Sequence, residues 1–431
     1  MTFNVIGFLL PEITIAIGIC IVILANSMTK TPSINLIHSL ILFILSVALF
    51  FSFVSLEIPK ITIFNGHYVI DFFATNLKII TLIGAILIHL ASVKRTQNLK
   101  NEIFLIQMFA TLGILILCSA QNLLTIYLGL ETLTLSMYGI VASNRNSIDA
   151  TESAMKFFIL GAIASAIFLY GISIIYGVTG TLSLESIRNV PNLDTLEIRI
   201  ATAFITCGII FKFGAFPFHS WVPDSYQGSN TTAALYISSV PKIGAFALLT
   251  RLFADSLADI ADFWSVLILS AGLLSIIIGN LIALMQINVR RILAYSAIGH
   301  IGFILLAFSI GGLQGISASM TYLLIYLIMT MAAFSLIESV STEDHQHIEL
   351  SDLKGLSNSN PIIAFMILFT MFSMVGIPPF IGFYAKWIVL SELINSGSIW
   401  LGVIGIIMSV IAAYYYPVSY THLTLPTNRE V

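Results

Sequence analysis

The sequence predicts an all-α, polytopic membrane protein, and three observations carry that reading. Hydrophobic residues make up 58% of the 431 residues and charged residues only 9%, where a soluble domain carries about 25% charge. The mean hydropathy is +1.00. The apolar residues fall in runs of about twenty, the length that spans the hydrocarbon core as a helix. A net charge of -3 gives no electrostatic case for nucleic acid, and no basic patch, RNA motif or glycine-rich phosphate loop occurs.

On that ruler about thirteen helices follow in order. They lie near residues 5–25, 34–55, 72–93, 103–119, 121–142, 154–177, 199–221, 231–253, 261–286, 289–311, 316–339, 361–391 and 398–417. The first run reads as a spanning helix rather than a signal peptide, because it lacks a basic leading segment and Pro11-Glu12 interrupts it. Several gaps are very short, so the helices they join must be antiparallel neighbours. The longest polar stretch, Glu338 to Asn360, is a loop rich in Glu, Asp, His and Ser. Lys and Arg in the loops set the orientation. About eight of them, Lys30, Lys94, Arg95, Lys100 and Arg145 included, follow odd-numbered helices, against about four after even-numbered ones. The N-terminus is therefore expected to face away from the cytoplasm.

A short repeat is visible. Gly214-Ala215-Phe216-Pro217-Phe218 in the seventh helix resembles Gly376-Ile377-Pro378-Pro379-Phe380 in the twelfth. An odd number of spans between two copies inverts the second, as in many transporters, whose broken helices meet at the repeat interface. Proline removes a backbone donor and frees a carbonyl, so each helix is expected to open there. The expected division is residues 1–102 for three leading helices, 103–253 and 254–417 for two inverted five-helix repeats with helices seven and twelve broken, and 418–431 as a tail.

Five ionisable side chains lie inside apolar runs: Glu131, Lys156, Lys212, Lys242 and Lys386. A charge at the bilayer centre costs about 2.5–3.5 kcal/mol on insertion scales, so an ion or proton path is the default reading. Lys212 precedes Pro217 by five residues, Lys242 follows Pro241 directly, and Lys386 follows Pro379 by seven. Burial favours the neutral form of an amine and a nearby carboxylate favours the charged one. A lysine held between those influences switches charge when its partner moves, as a proton relay requires. Glu131 has no cation at helical spacing in its own run, so its partner must come from another helix; Lys156 is the nearest in sequence. Lys386 lies near a run end, where snorkelling to the headgroups competes with a relay role. An ordinary histidine titrates near neutrality, so His219 and His300 suit a relay, with hydrogen-bonded packing as the other reading. Lys78 is expected to snorkel, and Arg290-Arg291 to anchor a loop at the membrane surface. Cys20, Cys118 and Cys207 are isolated in apolar runs and form no metal or cluster motif. No G-x-G-x-x-G opens a strand–helix unit, so any redox cofactors are expected on other chains.

Three strings carry a family resemblance: Lys212 to Asp224, Val240-Pro241-Lys242, and Arg290 to Ser296. They resemble the antiporter-like subunits of respiratory complex I, and the likeness covers nearly the whole chain. The short chain, the lack of a long lateral helix and the lysine at Lys386 resemble the subunit N branch, that of mitochondrial subunit 2. The resemblance implies about fourteen helices and a proton channel of two half-channels, one per inverted repeat. It implies that Glu131 and Lys212 are a paired switch, Lys242 the central relay and Lys386 a group toward the exit. Lys156, His219 and His300 match further family positions. The resemblance also implies that this chain binds no cofactor or metal, while NADH, FMN, iron–sulfur clusters and quinone serve the rest of the complex. Its implied partners are neighbouring antiporter-like and small membrane subunits. The implied location is a bacterial inner membrane, before a mitochondrial one. The alternative function is a subunit of a Mrp-type cation/proton antiporter; a non-transporting scaffold is a third. The string from Val418 to Thr427 resembles a translated sequencing adapter, so residues from about Val418 are expected to be non-native after a truncated C-terminus.

Overall fold

The computed structural model describes residues 7–28, 34–93, 102–144, 147–340 and 349–424, with side chains as far as Tyr416. Lys30, Lys94, Arg95, Lys100 and Arg145, on which the orientation leans, lie outside the described residues, as do the side chains of the tail. In chain order the first elements are α1 (Leu10–Met28), α2 (Ile34–Val54), β1 (Ile61–Ile63), β2 (Tyr68–Ile70), α3 (Phe72–Val93), α4 (Glu102–Ser119), α5 (Leu123–Val141), α6 (Ile148–Thr179) and α7 (Leu184–Arg188). Next come α8 (Leu196–Phe213), α9 (Trp221–Gly228), α10 (Thr231–Ser238), α11 (Pro241–Leu249) and a π-helical turn over Thr250–Ser256. The last are α12 (Ala261–Ala283), α13 (Val289–Ser309), α14 (Gly312–Val340), α15 (Leu356–Ser359), α16 (Pro361–Val375), α17 (Ile381–Asn395) and α18 (Ile399–Thr424). Among the described residues eleven helical stretches are long and apolar enough to cross a bilayer, and the chain is an all-α, multi-pass integral membrane protein. The expected runs 199–221, 231–253 and 361–391 are interrupted, each where glycine or proline disrupts the helical backbone. The strands β1 and β2 form one small antiparallel hairpin, with Ile61 opposite Ile70.

The chain divides into two compact units, residues 1–209 with 239–261, and residues 210–238 with 262–431. In the first unit α4 packs tightly on α5. A Cβ on Gly113 would lie 2.6 Å from the Leu133 backbone nitrogen, so only glycine permits this approach. α11 packs against α3, α4 and α5. Arg251, on the π-helical turn, donates from Nη1 and Nη2 to the Asp71 carboxylate, both at 2.8 Å, and from Nε and Nη2 to the Cys118 carbonyl. It thereby ties the start of α3 and the end of α4 to that turn.

Lys78 does not snorkel. It is 3% exposed, and its ammonium lies 2.7 Å from Glu12 Oε1, which also accepts the Tyr68 hydroxyl at 2.6 Å. A partner within reach removes the drive toward the headgroups. Lys78→Met alone strands the Glu12 carboxylate, at a cost of about 3–5 kcal/mol, whereas replacing both members of a buried pair is often nearly neutral. The expected result is a strong loss of assembled protein in the single variant and recovery in Glu12→Gln/Lys78→Met, read by thermal unfolding in detergent. A double variant as unstable as the single one contradicts the pair.

In the second unit α13 is buried along nearly its whole length and packs against α9, α14 and α17. Arg290 is not a surface anchor. It is fully buried and donates to the Ser229 carbonyl at 2.9 Å and to the Thr231 hydroxyl. The end of α9 leaves that carbonyl without a helical partner, and the donor-rich guanidinium fills the gap. Arg291 reaches Asp224 and Gln227 of α9, both at 3.0 Å.

One local construction occurs in both units. Asn122 caps α5 and forms a β-bridge to Ser183; Asn288 caps α13 and forms a β-bridge to Glu349. The two asparagines stand 166 positions apart, as do their bridge partners. Gly113 packs against the backbone of Gly129 and Leu133, and Gly279, again 166 positions on, packs against that of Tyr295 and Gly299.

Candidate functional site

Helix α8 ends at Phe213, where Gly214 takes a φ of 71°. α16 ends at Val375, where Gly376 takes a φ of 87°. Both values lie in the left-handed region that favours glycine and stops a helix. A cis peptide precedes Pro217 in the first break and Pro379 in the second. The terminal carbonyls then need donors. The Trp221 indole donates to the Phe211 carbonyl at 3.0 Å, and the Lys386 ammonium donates to the Val375 carbonyl at 2.7 Å. Lys386 is therefore turned inward, 6% exposed, with its ammonium 5.4 Å from the centre of the Phe303 ring. It does not reach for the headgroups. A Cβ on Gly376 would come within 2.9 Å of Lys386 Cδ, so the glycine also makes room for this side chain.

Lys212 is half-buried in the last turn of α8, at the negative end of the helix dipole. Lys242 lies in the first turn of α11, behind Pro241, and is 1% exposed. Glu131 is half-buried in the middle of α5, and its Oε1 is buried with no hydrogen-bond partner among the described residues. Lys156 is half-exposed, with its ammonium 2.7 Å from Glu152 one turn earlier. That ion pair is local to α6 and leaves the Glu131 oxygen unfilled. His219 is half-buried beside the first break, its ring 5.6 Å from that of Phe216.

His300 has a fuller setting. Nδ1 lies 2.8 Å from the Tyr322 hydroxyl and Nε2 lies 3.4 Å from the Tyr416 hydroxyl. Tyr416 is in turn hydrogen-bonded to Ser296, and the Tyr326 ring flanks the imidazole at 5.7 Å. Phe303, whose ring the Lys386 ammonium approaches, also stacks on Tyr322 at 5.6 Å. Lys386 and His300 are thus brought into one polar group of the second unit. The sequence reading missed Ser296, Tyr322, Tyr326 and Tyr416. The available signal was weak: tyrosines four residues apart in one run and three in a row at 414–416.

Comparison with known proteins places this geometry in a family. A family profile described as NADH:quinone oxidoreductase/Mrp antiporter, TM, matches residues 120–412. NADH-quinone oxidoreductase subunit N of Alkalilimnicola ehrlichii is 41% identical over 414 residues, covering 94% of this chain and 85% of that protein. The Nitrosomonas europaea subunit N is 42% identical over 412 residues, covering 94% and 86%. Among solved structures, a chain of respiratory complex I from Thermus thermophilus with bound aureothin superposes with a TM-score of 0.82 at 30% identity, covering 96% of this chain and 89% of that one. A chain of the Mrp complex from a Dietzia species shares the fold, with a TM-score of 0.87 at 21% identity over 98% of this chain and 80% of its own. The chain belongs to the NADH:quinone oxidoreductase/Mrp antiporter membrane family, among the relatives named subunit N.

Proposed function

We propose that this chain is a membrane-arm subunit of the bacterial NADH:quinone oxidoreductase that moves protons across the inner membrane, and that its own part is non-redox. Relatives named subunit N match over 94% of its length, which favours this reading over a Mrp-type antiporter. NADH oxidation and quinone reduction, with FMN and iron–sulfur clusters, belong to other subunits. Its partners are the neighbouring antiporter-like and small membrane subunits. The observation that carries the residue-level reading is the burial of Lys242 and Lys386 in helices interrupted beside prolines. Ionisable side chains are rare inside membrane-spanning helices, and an ion or proton path is their default reading.

In this reading Glu131 and Lys212 form the charge switch, Lys242 is the central relay, and His300 and Lys386 carry the proton onward. Lys156 and His219 serve as side members. Two inverted five-helix repeats, residues 103–253 and 254–417, supply one half-channel each; the Asn122 and Asn288 constructions support that division. Two measurements test the proposal. The tagged chain is purified from its own membranes, and co-migration with flavin- and cluster-bearing subunits is expected. Proton uptake per NADH oxidised is then measured in vesicles carrying Lys212→Ala. A fall of about 10²-fold is expected from removing a positioned proton carrier. Full pumping in a normally assembled Lys212→Ala complex supports a scaffold role instead.

A further inference from the structure

The imidazole of His300 is enclosed by hydroxyl groups from three helices. Ser296 is on α13 with His300, Tyr322 is on α14 and Tyr416 is on α18. Exposure is 2% for Ser296, 5% for His300 and 1% for each tyrosine. Every member of the set can both donate and accept. A hydroxyl has one proton and two lone pairs, and a neutral imidazole has one donor and one acceptor nitrogen. Because the two ring nitrogens face different phenols, a neutral His300 accepts from one and donates to the other. The chain Ser296–Tyr416–His300–Tyr322 therefore has a direction set by the tautomer.

We propose that Ser296, Tyr416, His300 and Tyr322 form a hydrogen-bonded proton wire through the second unit, with the two phenols as direct proton carriers. The proposal rests on the reading of His300 as a relay group and adds three residues to it. In one passage a proton from Ser296 binds the Tyr416 oxygen as Tyr416 gives its own proton to Nε2. Nδ1 releases its proton to the Tyr322 oxygen as Tyr322 passes its own to a water beyond it, and Ser296 is reprotonated from the supply side. At each group one N–H or O–H bond forms and one breaks. One proton enters, one leaves, and no member is left charged. The imidazole ends in its other tautomer, and the reverse proton shift or rotation of the groups resets it. No side chain needs to travel, which suits a close-packed interior. Tyr384 provides the contrast, because it lies on α17 of the same unit with 57% of its surface exposed.

The test uses the assembled complex in native membrane vesicles. Tyr322→Phe and Tyr416→Phe keep the rings and remove only the hydroxyls; Tyr384→Phe is the control. Coupled NADH:quinone turnover and proton uptake are expected to fall roughly tenfold or more in the first two variants, with the residual rate slowed further in deuterated water. The control is expected to match the parent. If the phenylalanine variants fail to assemble, a fluorinated tyrosine at 322 keeps shape and hydroxyl and changes only acidity; a changed rate and isotope effect are then expected. Parent-like turnover in both phenylalanine variants, or with fluorotyrosine, overturns the wire. If His300→Ala impairs pumping in that case, the relay reading survives without it. If His300→Ala is also silent, that reading of His300 fails as well.

Discussion

Lys386→Arg is expected to give a complex that assembles and does not translocate protons. The ammonium of Lys386 has two tasks in the second unit. It satisfies the Val375 carbonyl, left open where α16 stops at Gly376, and it is a proton-bearing group beside Phe303 and the His300 cluster. Arginine also donates to a carbonyl, so the first task survives. It is always charged in proteins and cannot release a proton, so the second does not. Lys386→Met removes both and leaves the carbonyl buried without a donor, at a cost of about 1–3 kcal/mol. Proton uptake per NADH is expected to fall by about 10²-fold or more in each variant, with lower assembly only in the methionine one. Parent-like pumping in the arginine variant would reduce Lys386 to a helix cap.

Asp71→Ala is expected to cause a loss of stability in the first unit as large as that of Lys78→Met. The Arg251 guanidinium is 4% exposed at its side chain and makes a two-pronged ion pair with Asp71. Removing the carboxylate leaves a buried cation, at a cost of about 3–5 kcal/mol. Asp255 lies 3.2 Å from Nη1 but is 42% exposed, so it offsets only a small part. The pair also gives a pH signature. Burial opposes the charged form of Asp71, and the Arg251 hydrogen bonds and charge outweigh it, so its carboxyl is held below the ordinary value. A depressed folded value means that the stability is present above the unfolded value, near pH 4. It is lost as pH falls through the folded value. The parent is therefore expected to lose stability in acid more steeply than Asp71→Ala, measured as unfolding temperature in detergent from neutral pH downward. Parallel acid profiles would remove the pair from the account.

The candidate relay was legible in part. Lys212, Lys242 and Lys386 stood out because charge is rare in runs this apolar and because prolines flank them. Tyrosine gives no such warning. Tyr322 and Tyr416 fit an apolar helix through their rings, and only packing shows that their hydroxyls meet His300. The same applies to pairings. Glu12 and Lys78 stand 66 positions apart, and no spacing rule joins them. Arg290 reads as a loop anchor until the carbonyl of Ser229 appears beside it.

The sequence alone determined the solvent, the all-α class and the two helix stops at Gly214 and Gly376. Those are set by hydropathy, by the length of a span, and by residues that lack a donor or accept a positive φ, all local properties of the chain. Only the tertiary structure decided which polar groups meet. A buried ammonium or phenol takes whatever partner lies within about 3 Å, and that partner comes from another helix whose register the sequence does not state.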